Sequence, residues 1–376
     1  MKNIARLSCL LMLALASTAC QKNQNVLLIG EYGSMTGGTA TFGQSSHKGT
    51  MLATDEQNAQ GGLLGKQIKV VTEDDQSKPE EAKTAVLKLL KENQVTAVIG
   101  EVASSRTLAA APECQKAKIP MISPASTNPK VTEVGDYIFR ACFVDTFQGE
   151  AMAKYAFDKL NAHKIAILKD IKNDYSVGLA DFFEKTFKSL GGEIVDTESY
   201  SEGDIEFRAQ LTSLKTKAPD AIYVPGYYTE VGLIARQARE LGITVPLLGG
   251  DGWDSPKTVE IGGAAVNGCY FTNHYAADDP NPVVQGFIEK FKKKYNETPD
   301  AMAVLGYDAA NILYDAIKRA GTADPAKIRD ALAATKDFPG VSGNITMDAD
   351  RNAKKRIVIL KIDNGQIKFS DSQNPQ

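Results

Sequence analysis

The chain is poor in the side chains that usually carry catalysis. Its histidines, His47, His163 and His274, stand nowhere at metal-ligand spacing from one another or from a cysteine. Asp348, Asp350 and Asn352 begin like a calcium loop. Ala353 takes the place of the turn glycine and Ile359 that of the bidentate glutamate, so the segment reads as a polar turn. No G-x-S-x-G elbow presents a nucleophile. Neither G-x-G-x-x-G after a strand nor G-x-x-x-x-G-K-[ST] occurs, which removes the usual dinucleotide and phosphate cradles. No cofactor and no metal is expected, and the chain does not read as an enzyme.

What remains is the chemistry of recognition. Gly, Ser, Thr and aromatic residues gather in the stretches 30–43, 101–105, 124–127, 170–175, 226–228 and 250–254, the last with an acidic residue at Asp251. Each stretch follows a short run that reads as a strand: 26–30, 97–100, 120–123, 164–168, 221–224 and 246–249. Further strands are expected at 68–72, 193–197 and 356–362. Helices are expected at 47–59, 79–93, 107–118, 147–160, 175–190, 207–216 and 230–241, with Pro79 as a start and Gly61-Gly62, Gly191-Gly192 and Gly242 as stops. More helices follow at 283–294, 301–320 and 325–334. Short apolar strands alternating with helices imply an α/β fold with parallel sheets covered on both faces. The rhythm runs twice, with a boundary near residues 140–150, so two Rossmann-like lobes are expected. Open parallel sheets bind ligands beyond the carboxyl ends of their strands, where these loops fall.

Composition sets outer limits. With 43 Lys+Arg against 46 Asp+Glu and 43% hydrophobic residues, the 376-residue chain is ordinary globular material and long enough for two domains. A net charge of −3 argues against nucleic acid as a partner. Residues 1–19 read as an export signal: Lys2 and Arg6 are basic, 7–16 is an apolar run too short to span a bilayer, and Ser17-Thr18-Ala19 precedes Cys20. The last four residues resemble a bacterial lipobox, which implies lipid on Cys20, a polar tether over 20–25 and a location in the periplasm or cell envelope. Cleavage at the same bond without lipid is the alternative. Cys114, Cys142 and Cys269 remain in the body; an odd number leaves at least one free, and buried thiols are expected, with a disulfide between two of them open.

Ordered marks along the chain carry a family resemblance. They are SMTGGTATFG (34–43), NAQGGLLG (58–65), EDD (73–75), VIGEVASSRT (98–107) and ISPASTNP (122–129), then YIFRACFVDTFQG (137–149), NDYSVG (173–178), GYYTEVG (226–232) and GGDGWD (249–254). The chain resembles the leucine/isoleucine/valine-binding protein family, the type I periplasmic substrate-binding components of ABC transporters. The resemblance implies two lobes joined by a multi-strand hinge: 26–145 plus 275–350, and 146–274 plus 351–376. It implies that Ser104 binds the ligand α-carboxylate, that the Ala125 carbonyl accepts from the α-ammonium, that Thr127 touches both and that Asp251 pairs with the ammonium. Physical chemistry agrees, since a zwitterion leaving water needs donors for its carboxylate and an anion with acceptors for its ammonium. Ser104 also precedes an expected helix, whose free N–H groups favour an anion.

Phe42, Tyr175 and Tyr227 match aromatic positions that line the family's aliphatic pocket, and Met302 falls near another. Trp253 is expected to close the pocket or cap the hinge. Glu101, Val102, Ala103 and Ser126 flank the same loops; Glu101 is expected to be solvated or to select a polar or cationic side chain. Ser77 and Ala103 fall near the positions of the family's N-lobe disulfide, which is absent here. The implied partners are a free amino acid, inner-membrane permease subunits and the membrane itself through the lipid. A sensor of the same fold, reporting an amino acid or amide to a signalling partner, is the alternative.

Overall fold

The computed structural model describes residues 25–375; the expected signal peptide and Cys20 lie outside the described residues. The first lobe opens β1 (Val26–Gly33), α1 (Ala40–Ala59), β2 (Gln67–Asp74), α2 (Pro79–Lys91), β3 (Ala97–Ile99), α3 (Ser104–Ala117), β4 (Met121–Ser123), α4 (Lys130–Glu133) and β5 (Ile138–Arg140). Its sheet has the order β2-β1-β3-β4-β5 and is parallel throughout. The second lobe follows with α5 (Asp145–Asp158), β6 (Lys164–Asp170), α6 (Asp174–Ser189), β7 (Glu193–Tyr200), α7 (Arg208–Thr216), β8 (Ala221–Tyr223), α8 (Tyr228–Glu240), β9 (Leu247–Gly249), α9 (Pro256–Gly262) and β10 (Tyr270–Asn273).

The chain then returns to the first lobe through α10 (Pro282–Tyr295), α11 (Ala301–Ala320), α12 (Pro325–Ala333) and a small antiparallel sheet of β11 (Phe338–Gly340), β12 (Gly343–Met347) and β13 (Ala353–Lys354). It crosses once more to add β14 (Ile357–Asp363) and β15 (Gln366–Gln373), giving the second sheet the order β15-β14-β10-β9-β8-β6-β7. Only the β14 and β15 edge is antiparallel. The result is an α/β fold of two Rossmann-like lobes, the type I periplasmic-binding architecture. The chain passes between the lobes at 141–144, 274–281 and 355–356, and these crossings form the hinge.

Helix starts are set locally. Asn173, Ser255, Asn281, Asp300 and Asp324 each accept a backbone N–H of the helix they precede. Packing extends what local pattern shows. Helix α1 starts at Ala40, earlier than its apolar periodicity suggests, because it lies against α11: a Cβ on Gly306 would come within 2.2 Å of the Ser46 carbonyl oxygen. Strands β5, β10 and β11 to β13 span two to five residues, too short for periodicity to register, and β15 is largely exposed. Asp348 accepts from the N–H groups of Asp350 and Asn352 and closes the turn between β12 and β13. Cys114, Cys142 and Cys269 are free and buried.

Candidate functional site

In each sheet the strand order reverses once, at β1/β3 and at β6/β8, and the loops after those strands face each other across the cleft. They close on a small cavity lined by Phe42, Val102, Ser104, Ala125, Tyr175, Tyr227, Asp251, Gly252 and Met302. Ser104 is the first residue of α3, with Ala103 as its N-cap, so its hydroxyl does not cap the helix; it accepts from the Asn128 N–H at 3.2 Å. That leaves its proton for an acceptor in the cavity, beside N–H groups that have no intrahelical partner. The loop carrying Ala125, Ser126 and Thr127 is braced by the buried Arg140 guanidinium, which donates to the carbonyls of Ser126, Asn128 and Pro129.

Asp251 enters from the second lobe. Its Oδ1 accepts from Gln148 Nε2 at 2.8 Å and its Oδ2 from His274 Nε2 at 2.9 Å. Burial pushes the His274 ring down to about 4, so both donors are neutral. Tyr175 stacks on Tyr227 at 5.3 Å, and Phe42 meets Tyr227 edge-on across the lobes, also at 5.3 Å. The Tyr175 hydroxyl accepts from the Gly252 N–H at 3.2 Å. Gly250 must lack a side chain here, because a Cβ would lie 2.3 Å from that hydroxyl.

Other expected residues stand elsewhere. Trp253 neither closes the cavity nor caps the hinge: its indole N–H donates to the Val224 carbonyl and the ring is sunk in the second lobe's core. Glu101 is fully buried, not solvated, and accepts from Ser34 and from the Ala103 N–H. Burial and the neighbouring Asp75 push its carboxyl up to about 8. Ala103 spends its N–H on Glu101, and the Ser126 hydroxyl turns back to the carbonyls of Glu101 and Val102. Thr127 is buried, with no hydrogen-bond partner for its hydroxyl among the described residues. Ser77 is linked to Glu101 through polar contacts: the Ser77 N–H donates to Asp75, and Ser34 donates its hydroxyl to Asp75 and its N–H to Glu101.

Sequence reasoning passed over Asp145, Gln148 and His274. The first two lie inside the 137–149 mark, where helical periodicity hides their purpose. His274 follows β10, a strand too short to register. Among the described residues no group of three or more His, Cys, Asp or Glu could hold a metal.

The lobes are latched shut around the cavity. Arg106 donates to Thr39 within its own lobe and to Glu202 of the other, both at 2.8 Å. Ser105 accepts from the Asp174 N–H, and Asp254 accepts from the Ala301 N–H at the start of α11.

A family model described as "Periplasmic binding protein" matches residues 27–366. The leucine-, isoleucine-, valine-, threonine- and alanine-binding protein of Pseudomonas aeruginosa is 32% identical, with 86% of each chain covered. A leucine-binding protein from Thermotoga maritima is 42% identical, covers 93% of this chain and 99% of its own, and superposes with a TM-score of 0.89. A branched-chain amino acid transporter substrate-binding protein from Streptococcus pneumoniae, solved with isoleucine, is 38% identical over 93% of this chain and all of its own, with a TM-score of 0.88. With matching residues across both lobes and the hinge, the chain belongs to the periplasmic binding protein family.

Proposed function

We propose that this chain captures a free branched-chain amino acid in the periplasm by closing its hinge, and delivers it to the inner-membrane permease subunits of an ABC importer. One observation carries the reading: the lobes meet on a small cavity that offers a helix start at Ser104 from one side and the Asp251 carboxylate from the other. Ser104 and Thr127 would hold the carboxylate, and Ala125, Thr127 and Asp251 the ammonium. Phe42, Val102, Tyr175, Tyr227 and Met302 would enclose an aliphatic side chain. The Pseudomonas and Streptococcus relatives named above support the class. Neighbours solved with benzoic acids offer a different ligand class. A benzoate would leave Asp251 buried opposite no cation, which is costly. Catalysis forms no part of this reading.

A thermal-shift panel tests it. L-Leucine, L-isoleucine or L-valine at a hundredfold excess over Kd should stabilise the protein by roughly 2.7 kcal/mol, and Asp251→Ala should remove the shift. A shift with benzoate and none with any amino acid would overturn the reading. We further propose that lipid on Cys20 tethers the protein to the membrane; Cys20→Ser should then release it into the soluble periplasmic fraction.

A further inference from the structure

Beside Asp251 lies a set of buried polar atoms without partners among the described residues: both carboxyl oxygens of Asp145, the Thr127 hydroxyl, Gln148 Oε1 and the Tyr223 hydroxyl. They come from both lobes. Asp145 opens α5, directly after the 141–144 crossing, and its N–H donates to the Thr127 carbonyl at 2.9 Å. Gln148 sits one turn further along α5 and holds Asp251. Buried polar groups are almost always hydrogen-bonded, so a cluster of orphans in one place marks a missing donor. Three of these atoms, the two Asp145 oxygens and Gln148 Oε1, are acceptors without a proton when Asp145 is ionised, and the hydroxyls can accept too. A group rich in N–H donors, with positive charge, satisfies such a set.

We propose that Asp145 is a second carboxylate of the cleft's cationic pole, and that it releases a proton to solvent when an ammonium group binds beside Asp251. The inference rests on the amino-acid reading of the site and deepens it. Two buried carboxylates facing one another without a cation cannot both stay charged at low cost, so the empty pole keeps one proton. In that state burial and the charge of Asp251 hold the Asp145 carboxyl well above the usual range, with the Thr127 hydroxyl and Arg140 acting the other way. The other groups around the pole do not outweigh burial and the charge of Asp251. Arg140 gives its terminal N–H groups to backbone carbonyls, leaves its Nε without a partner among the described residues, and lowers the Asp145 carboxyl less than burial raises it; Lys355 donates to Ser342, His274 is neutral, and burial keeps Tyr175, Tyr223 and Cys142 protonated. An arriving ammonium changes the balance: Asp145 ionises, its proton leaves to buffer, and the ammonium gains a second charged acceptor. The charge balance then favours a primary ammonium over ligands lacking one.

The test is calorimetry of the full mature chain with L-leucine as probe, at pH 7, in phosphate and in Tris. The wild type should show a binding enthalpy that differs between the buffers by the amount due to release of close to one proton. Asp145→Asn should abolish that buffer dependence and weaken L-leucine binding by about tenfold or more. The same variant should bind 4-methylpentanoate, which lacks the ammonium, as weakly as the wild type does, whereas general damage to the cleft would weaken both. Buffer-independent enthalpy in the wild type, or wild-type affinity in Asp145→Asn, overturns the proposal while leaving the amino-acid reading standing. If the wild type binds no amino acid at all, that reading falls and this inference falls with it.

Discussion

His274 Nε2 lies 2.9 Å from Oδ2 of Asp251, and since a carboxylate only accepts, the ring nitrogen is the donor. The imidazole stacks on Phe143 at 3.8 Å, so a side chain from one hinge crossing rests on a side chain from another. A neutral donor fixed in this way orients the carboxylate without cancelling its charge. Replacing His274 with Ala should weaken L-leucine binding by about 1–2 kcal/mol, and His274→Gln should restore part of the loss. Calorimetry at pH 7 checks this; unchanged affinity in the alanine variant would remove His274 from the site.

The same ring gives a signed pH dependence of stability. Its folded value of about 4 lies below the ordinary 6.5. Between those values the unfolded chain takes up the proton first, so stability is full above pH 6.5 and declines as pH falls towards 4. The contribution over that window is about 3 kcal/mol. Thermal melts from pH 7 to 4 should show a shallower decline for His274→Gln than for the wild type. Parallel curves would contradict the assignment.

Glu101 predicts the opposite slope. Its folded value of about 8 exceeds the ordinary 4.5, so the folded chain holds the proton that the unfolded chain has lost. Stability from this group is full below pH 4.5 and is lost as pH rises through 8. Glu101→Gln keeps the shape and removes the titration. It should be more stable than the wild type by a few kcal/mol at pH 8.5, with the difference shrinking towards pH 5. Urea titrations at the two pH values would reveal the trend, and a variant destabilised at both would refute it.

Arg106 spans the cleft mouth and offers a test of closure. Its guanidinium is buried while Glu202 is 34% exposed, so the pair itself contributes under about 1 kcal/mol. Glu202→Gln should therefore change Kd for L-leucine less than about fivefold. Arg106→Ala should do more, because it also removes the donor to the Thr39 hydroxyl and opens space at the start of α3. A closed form preferred through this latch predicts slower ligand release in the wild type than in Arg106→Ala, measured by stopped-flow fluorescence of Trp253. Equal release rates would mean that the latch plays no part.

The alternation of strand and helix was readable because each period reflects a local rule. Continuously apolar runs such as 165–168, inside the strand Lys164–Asp170, must be covered on both faces, and helices such as Tyr228–Glu240 show one apolar side. The two-lobe α/β architecture follows from those rules, and the ordered marks carried the family. Side-chain direction in loops obeys no such period. Glu101 and Asp251 are both acidic residues after short strands, yet one turns into its own lobe to meet Ser34 and the other faces the cavity. Trp253, two residues from Asp251, points into the core. Asp145, Thr127, Asp251 and His274 become neighbours only because the chain crosses the hinge repeatedly and brings distant loops to one point. Sequence alone determined the longer helices and strands and where their loops emerge, since propensity and burial act residue by residue. Tertiary structure decided which loop side chains meet, because that depends on contacts between segments more than a hundred residues apart.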